Sequence, residues 1–579
     1  MASSKPGLFA REATGLVREI GFTLGVIIIL SHVIGLGWQK RAFQFTGPRP
    51  VPTDLFLGNL PAIFWAFLFC GIVVLITGYA AGYVTAAMPR SGGGYVTISR
   101  VIHPLVGYMA GWLMFLAEAF SYGLIGVAVF EAIGIFYNIA LAPEVLTWTA
   151  DPTILFIGGL AILWIFAIIA LLGTKLYGRL MEVIFYIPAV ITIAFFAMWI
   201  AGAMDPNLVV TGVQEVMTPP GKPAVTPEHL VTLAVNSGMT LKIASFFDAF
   251  SYALAGAFWA FMGWYATTFV AGEVKEANKK LPKVVVAAGL IILLVYLAAS
   301  SASAISTMNV ATRTVDGHEW GFFQSYSWLS YGDVNWTALG VPAATVEAGK
   351  QWEFLNINFQ PAWSTGIASI ISRGMGLGWL SWVIALAGVL WLANDIPPFL
   401  LVASRTFFAM SFDRMLPESF AYVSEKWHAP VWSIIITAVA GILGCIAESN
   451  IAGLATYFAF AGVVGTDIFD ALFLTLFCLS CALLPLERKE IYDRAAVKHS
   501  IGTVVSVGAL ATLGAGFCLF IFVKESPYIF NPTDVGQLYS CIGFFLCIAI
   551  GLLLYIYYLY KNATKGIDVR TLYLSIPPE

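Results

Sequence analysis

The sequence carries little charge for its length. Asp, Glu, Lys and Arg make up 11% of 579 residues, less than half of the roughly 25% found in soluble domains. A water-soluble fold of this size would lack polar cover, and a hydrophobic content of 59% excludes a disordered chain. The net charge of −3 provides no basic excess to neutralise phosphates, so no nucleic-acid partner is expected. The composition indicates a polytopic membrane protein.

Cysteine and histidine are also scarce. All seven cysteines lie in apolar stretches, so the sequence offers no disulfide framework. Cys478 and Cys481 have C-x-x-C spacing, but their apolar neighbours favour two small core residues over a metal or redox pair. The six histidines are widely scattered, and no H-E-x-x-H or G-x-S-x-G motif lies on a suitable helix. We therefore expect no cofactor, no metal site and no intramembrane enzyme.

Long apolar runs dominate the chain. A bilayer core needs about 20 apolar residues per helix, and twelve runs meet this requirement, which predicts an all-α fold with both termini on one side. The runs are 17–38, 61–87, 105–137, 153–173, 180–203, 252–271, 283–305, 377–403, 430–447, 451–485, 500–523 and 538–560. The tenth run is too long for one straight span. It predicts a surface helix over 451–463 and a membrane helix that starts near Gly465.

The distribution of basic residues predicts the orientation. With the N-terminus inside, the inner segments hold 21 of the 30 Lys and Arg residues, as the positive-inside rule requires. Residues 1–16 and 561–579 are then cytoplasmic ends of a multi-pass protein in the lipid of the cell membrane. Two long outer loops cover 204–251 and 306–376, and the second is rich in aromatic residues. We expect the second loop to pack as a cap over the outer mouth.

Glycines interrupt two of the predicted helices. Gly35 and Gly37 lie in the first run, and Gly263 lies within an aromatic cluster of the sixth. A single glycine in a membrane helix is usually a packing contact. Paired interruptions five helices apart, however, indicate a transporter site. Exposed amides at such breaks suit a carboxylate, and exposed carbonyls suit an ammonium group or a cation.

Four further segments carry a family resemblance. They are 88–95 with 103–112, then 173–179, 272–282 and 403–417. Their order and spacing resemble the amino acid–polyamine–organocation permeases over residues 15 to about 440. The resemblance implies a LeuT-type fold, in which 17–203 and 252–485 are two inverted five-helix repeats with helices 1 and 6 broken, followed by two extra helices within 500–560. It also implies secondary active transport of amino acids or related amines by alternating access.

The resemblance assigns a substrate role to residues near the breaks. An ionisable group such as Glu118 in the middle of helix 3 costs about 2.5–3.5 kcal/mol on insertion scales, which makes it a functional candidate. In the family register it falls where relatives contact substrate, and it suggests a preference for positively charged ligands. Trp259 matches an aromatic residue that stacks over the substrate in relatives. The predicted substrate-binding residues are Ile34, Gly35, Leu36, Gly37, Glu118, Tyr122, Trp259, Phe261, Gly263 and Tyr265.

His32 and Asp395 are the predicted ion-coupling residues. In the family register Asp395 comes close to the second sodium site of sodium-coupled relatives, and His32 precedes Gly35 by one turn. We hypothesise that the two residues form a titratable pair that couples transport to protons. Two alternatives are a sodium ion bound by Asp395 and a buried structural pair. In a third alternative, Asp395 bonds backbone groups that Pro397 and Pro398 leave without helical partners.

Several departures from the family pattern bear on the substrate. Predicted helix 5 has no lysine to stand in for a sodium ion, and Leu36 is bulkier than the usual Ser or Ala. The carboxylate end of the substrate is therefore expected to bind differently or to be absent. Asp467 and Asp470 carry less weight, because both would move to a helix end if helix 10 starts near Gly465.

The leading interpretation is a proton-coupled importer or an exchanger of an amino acid or amine. A sodium-coupled transporter is the second interpretation. A third, from a different class, is a non-transporting membrane subunit or nutrient sensor with the same fold. The expected partner of the protein is a small-molecule substrate. A transporter would also bind a proton or a sodium ion.

Overall fold

The computed structural model describes residues 9–139, 151–526 and 529–578. Eleven helical stretches among the described residues are long and apolar enough to cross a membrane, and the first of them is the interrupted stretch Phe22–Gln44. The predicted sixth membrane helix is shorter, because it ends at Phe261 and resumes only at Ala266. Residues 1–8 of the predicted cytoplasmic N-terminus and residue 579 of the predicted tail lie outside the described residues.

The apolar helices are numbered 1 to 12 in chain order. Helices 1 to 12 span Phe22–Val33, Ala62–Ala87, Pro104–Ile139, Pro152–Leu171, Thr174–Met204, Phe246–Phe261, Ala277–Met308, Gly378–Phe412, Val431–Ser449, Val463–Glu487, Ile501–Lys524 and Val535–Thr564. The shorter helical segments are Gly37–Arg41, Ala42–Gln44, Thr53–Leu55, Gly93–Val101, Asn207–Met217, Pro227–Asn236, Met239–Lys242, Ala266–Phe269, Ala271–Glu273, Phe322–Tyr331, Thr337–Leu339, Ala343–Glu347, Gln351–Phe354, Ser364–Gly374, Glu418–Ala421, Ile451–Gly453, Ala459–Ala461, Lys489–Arg494 and Val569–Leu574.

Polar residues cap the starts of several helices. The Asp151 carboxylate accepts a hydrogen bond from the Thr153 amide at 2.8 Å, and Pro152 occupies the first helical position of helix 4. Ser245 caps helix 6 by accepting from the Asp248 amide at 3.1 Å. Each cap satisfies an amide that the helix itself cannot bond, and so determines where the helix begins.

Helix 3 lies at the centre of the bundle. Its most apolar stretch is 89% buried, whereas the corresponding stretches of helices 5, 11 and 12 are 33% buried. Val190, Ile193, Leu513 and Leu553 on those outer helices are 66–72% exposed. Long helices with such exposed apolar faces are suited to contact with lipid. The most extensive packing joins helices 3 and 8, 10 and 11, and 2 and 7.

The two long predicted outer loops bond to each other. The Asn358 amide donates to the Met217 carbonyl at 2.9 Å, and the Trp328 indole donates to the Ser237 hydroxyl at 2.9 Å. The second loop also contains the only two strands among the described residues, β1 (Arg313–Val315) and β2 (His318–Trp320), which pair antiparallel. Their turn is Asp316-Gly317, with positive φ at both residues as a tight hairpin requires.

The start of helix 10 differs from its predicted form. The expected surface helix over 451–463 is replaced by two short turns, Ile451–Gly453 and Ala459–Ala461. Asn450, Ala452 and Gly453 have positive φ, which interrupts a right-handed helix. Helix 10 then begins at Val463, close to the predicted Gly465.

Candidate substrate and ion site

Helices 1 and 6 are both interrupted at the predicted glycines. Helix 1 ends at Val33 and helical structure resumes at Gly37. Helix 6 ends at Phe261, and Gly263 adopts a φ of +96° that L side chains rarely tolerate. A Cβ atom at Gly263 would lie 2.6 Å from Cγ of His32. Glycine at this position therefore permits both the backbone conformation and the close approach of the two broken helices.

Side chains of the protein bond the backbone released at the breaks. The Tyr296 hydroxyl on helix 7 lies 2.7 Å from the Ala260 carbonyl and also contacts the Val33 carbonyl. The Gln39 amide donates to the Gly35 carbonyl at 3.0 Å. The Gln39 side chain satisfies a carbonyl that a continuous helix would have bonded internally, and the one Tyr296 hydrogen is shared by two more.

The Asp395 carboxylate lies on the break of helix 1. It accepts a hydrogen bond from the Leu36 amide. Its Oδ2 atom is 1.9 Å from the point that a Cβ of Gly35 would occupy. A glycine at position 35 is therefore required for this carboxylate to reach the unwound backbone. Asp395 itself is 4% exposed.

A cavity of about 50 Å³ lies between helices 1, 3, 6, 8 and 10. It is lined by His32, Val33, Gly37, Ala117, Glu118, Ser121, Leu124, Ile125, Trp259, Ala260, Met262, Asp395, Phe399, Val463, Thr466, Asp467 and Asp470. Four of the lining residues are carboxylic acids, one is a histidine, and none is a lysine or arginine.

Three titratable side chains meet at one edge of this cavity. The Tyr265 hydroxyl lies 3.0 Å from Oε1 of Glu118 and 2.6 Å from both carboxylate oxygens of Asp470. His32 adds a fourth group, with Nε2 3.3 Å from Oε2 of Glu118. We call Glu118, Tyr265 and Asp470 the tyrosine-bridged cluster. It joins helices 3 and 10 to the segment that follows the break of helix 6.

Five of the predicted site residues line the cavity, namely Gly37, Glu118, Trp259, His32 and Asp395. Tyr265 reaches the same site through its hydroxyl. The structure therefore brings together residues from predicted helices 1, 3, 6 and 8.

Other predicted substrate-binding residues lie outside the cavity lining. The Tyr122 hydroxyl donates to the Leu163 carbonyl at 2.5 Å, which joins helix 3 to helix 4. The Phe261 ring packs against Tyr296 with centroids 5.0 Å apart. Ile34, Gly35 and Leu36 form the break itself, Gly35 and Leu36 lying under the Asp395 carboxylate, and Gly263 faces His32.

The predicted contact between His32 and Asp395 is not the one observed. His32 lies against Glu118, and its ring also meets Phe399 edge-on at 4.2 Å. Asp395 instead contacts the backbone of residues 35 and 36. An unpaired amide at a helix break attracts a carboxylate, which accounts for the position of Asp395.

Asp467 and Asp470 line the cavity, although the sequence analysis assigned them less weight. They lie in the first two turns of helix 10, near its start as expected, and these turns lie against the cavity. The sequence does carry a signal for this pair. The two aspartates are three residues apart, which places them on one face of a helix, and a long apolar run follows them. That signal does not say which helices face the pair.

The Trp259 ring is already in contact with a cationic side chain of the protein. The Arg41 guanidinium lies 3.7 Å from the ring centroid, a cation–π contact between the segment Gly37–Arg41 and helix 6. Arg41 is buried at 7% exposure. The aromatic face that the family resemblance assigns to the substrate is therefore covered by Arg41 in this conformation.

Three of the family-like segments meet in two buried ion pairs. Arg405 bonds Glu273 through two contacts of 2.9 and 3.0 Å. Arg100, which follows the first segment, bonds Asp413 through contacts of 2.6 and 2.8 Å, and the Tyr95 hydroxyl donates to the same carboxylate at 2.7 Å. Both pairs lie on the predicted cytoplasmic side, away from the cavity residues.

The fold and the site define a multi-pass helical membrane protein with an acidic cavity between two broken helices. A family model described as amino acid permease matches residues 55–566. The chain therefore belongs to the amino acid permease family, which confirms the predicted resemblance. Among curated proteins it is similar to the serine/threonine exchanger SteT of Bacillus subtilis (strain 168), with 24% identity over 290 residues. The alignment covers 49% of this chain and 54% of that relative, so the chain spans about half of the relative's length.

Proposed function

We propose that the protein is a secondary active transporter that moves amino acids or related amines across the cell membrane by alternating access, coupled to protons. In this proposal its two ends are cytoplasmic and helices 1–5 and 6–10 form inverted repeats. The observation that carries the proposal is the enclosed acidic cavity between the two broken helices. Unwound backbone survives within a membrane bundle where it lines such a cavity.

The acids of the cavity support binding of an ammonium group. A buried carboxylate is costly unless a cation or a proton neutralises it. No lysine or arginine belongs to the cavity lining. A substrate amine would supply the missing positive charge and three hydrogen-bond donors.

The tyrosine-bridged cluster supports coupling to protons. One hydroxyl hydrogen cannot be donated to both Glu118 and Asp470, yet both carboxyl groups lie within hydrogen-bonding distance of the same oxygen. A phenol that donates to one of them must accept from the other, which requires a protonated carboxyl group. We assign the coupling proton to this cluster, with His32 as its neighbour, rather than to a His32–Asp395 pair.

The test is uptake into proteoliposomes that contain the full-length protein. A panel of amino acids and amines is offered under an imposed pH gradient of either sign, without sodium. We expect one substrate to accumulate above equilibrium and a protonophore to abolish the accumulation. Accumulation that needs a sodium gradient and ignores pH would overturn proton coupling. Specific binding without any flux would favour a sensor instead.

Exchange is a second candidate, supported by the printed function of the relative, a serine/threonine exchanger. Vesicles preloaded with unlabelled substrate distinguish it. Uptake that appears only after preloading, and that no ion gradient drives, would replace coupling to protons by obligate exchange.

A further inference from the structure

We infer that the cavity selects organic cations that carry an amine but no carboxylate, in preference to α-amino acids with the same side chain. The inference rests on the proposed transport function and names its substrate class. It sharpens the expectation, drawn from Leu36, that the carboxylate end of the substrate binds differently or is absent.

The place that a substrate carboxylate would take is already filled. Asp395 accepts from the Leu36 amide, and its Oδ2 atom lies directly over Gly35. A second carboxylate at this break would find the Leu36 amide already bonded and Oδ2 of Asp395 in its place, so it would lack a donor there. The protein supplies its own carboxylate where an amino acid would bring one.

Three backbone carbonyls at the two breaks also contact side chains of the protein. Tyr296 contacts the carbonyls of Val33 and Ala260, and Gln39 bonds the Gly35 carbonyl. A ligand would therefore be recognised by side chains of the cavity rather than by the unwound backbone.

The buried lining groups without a hydrogen-bond partner among the described residues are two carboxylate oxygens and one ring nitrogen, Nδ1 of His32. Oδ1 of Asp395 is buried, and Oε2 of Glu118 is buried with its one close contact to Nε2 of His32 at 3.3 Å. Glu118 is 2% exposed and Asp395 4% exposed, and both line the cavity. Unpaired buried carboxylate oxygens require donors, and an ammonium group offers charge-assisted ones.

The same lining offers few hydrogen-bond donors that could hold a ligand carboxylate. Ser121 and Thr466 are its two hydroxyl residues, its one histidine, His32, already lies against Glu118, and no lysine or arginine belongs to it. The Arg41 guanidinium, which is outside the lining, is stacked on Trp259. An amino acid would thus place its carboxylate among four acids, whereas the matching amine would not.

The test compares each amino acid with its decarboxylated amine. Titration calorimetry on the purified full-length protein in detergent would use putrescine with L-ornithine, agmatine with L-arginine, and ethanolamine with L-serine. We expect at least one amine to bind at least about tenfold more tightly than its parent amino acid. Equal or tighter binding of the parents, or no binding of any amine, would overturn the inference.

Failure of the substrate inference can be distinguished from failure of the proposed transport function. If L-ornithine binds more tightly than putrescine and a pH gradient still drives its uptake, the substrate inference fails while proton-coupled transport stands. If putrescine binds tightly but no gradient moves it, the substrate inference stands and the transport proposal fails.

Variants of Asp395 test the reason for the selectivity. Asp395→Ser removes the carboxylate from the Leu36 amide, so the ratio of amine affinity to amino acid affinity should fall at least about tenfold. Asp395→Asn keeps an oxygen acceptor on that amide, so it should weaken amine binding without improving amino acid binding. The control is Asn394→Ser, one residue earlier on helix 8 and outside the cavity lining. An unchanged ratio in a folded Asp395→Ser protein would contradict the mechanism.

Discussion

At the residue scale, a single tyrosine hydroxyl joins two carboxyl groups from distant parts of the chain. Tyr265 contacts Glu118 on helix 3 and Asp470 on helix 10. The charged or titratable groups that face this cluster are His32 on helix 1 and Asp467 one turn earlier on helix 10. Cys518 approaches from helix 11. Removal of one carboxyl group should therefore change the ability of the cluster to bind and release a proton.

Asp470→Asn is predicted to abolish accumulation driven by a pH gradient while it spares exchange. An amide cannot gain or lose the proton, but it can still bond Tyr265. Proteoliposome uptake and counterflow, measured side by side, check both parts of this prediction. Asp467→Asn is the matched control, because it lines the same cavity without bonding Tyr265, and we expect it to retain accumulation. Full accumulation by Asp470→Asn would contradict the assignment.

Tyr296→Phe is predicted to destabilise the protein. The substitution leaves two buried carbonyls, those of Val33 and Ala260, without their shared hydroxyl. An unsatisfied buried acceptor costs about 1–3 kcal/mol, so the unfolding temperature in detergent should fall by several degrees. Tyr186→Phe on helix 5 is the control, because Tyr186 is 49% exposed. Equal unfolding temperatures for the two variants would show that the hydroxyl is not needed.

At the element scale, the break of helix 1 depends on a contact with helix 8. Gly35 and Asp395 approach so closely that no side chain fits between them. Pro397 and Pro398 lack amide hydrogens, so helix 8 also loses two internal hydrogen bonds beside this contact. The shape of the site is therefore a property of two helices together.

Gly35→Ala is predicted to weaken substrate binding at least about tenfold, because the new Cβ would displace the Asp395 carboxylate. Calorimetry with the best-binding amine measures the effect. Gly25→Ala on the same helix is the control. Its Cβ would lie 3.3 Å from a Val284 methyl group and far from the cavity. Affinity retained by Gly35→Ala would mean that the Asp395 contact is dispensable.

The ion pair between Arg405 and Glu273 joins helix 8 to the segment after broken helix 6. Glu273→Gln leaves the Arg405 guanidinium buried without its carboxylate, and breaking such a pair costs about 3–5 kcal/mol. We expect a clear fall in the unfolding temperature. The double variant Glu273→Gln with Arg405→Met removes both charges and should recover part of the loss. A double variant less stable than the single variant would argue against this reasoning.

At the scale of the whole molecule, the orientation is the prediction most open to a direct test. Lys222 in the first long loop is predicted outside, and Lys489 after helix 10 is predicted inside. Both are exposed. In a Cys541→Ala background, Lys222→Cys should react with a membrane-impermeant maleimide in intact cells. Lys489→Cys should react only after permeabilisation. The reverse pattern would invert the topology derived from Lys and Arg.

Local features of the sequence predicted much of this architecture. The lengths of the apolar runs determined the membrane helices, since hydrophobic length depends only on neighbouring residues. Glycines 35, 37 and 263 predicted the two breaks, because backbone freedom is also a local property. The family-like segments predicted the register that brings Glu118 and Asp395 to one cavity.

The partners of the buried polar groups were decided by the tertiary structure alone. The Tyr265 hydroxyl joins Glu118 and Asp470. In the sequence, Glu118 lies 147 positions before Tyr265 and Asp470 lies 205 positions after it. His32 lies against Glu118 rather than Asp395, and Arg41 covers Trp259. A sequence shows which helices carry charge, but the side chains that neutralise one another depend on how five helices pack and rotate. The lengths of the apolar runs and the positions of the helix breaks were determined by the sequence alone. The contacts among the side chains of the cavity were determined by the packing of the helices.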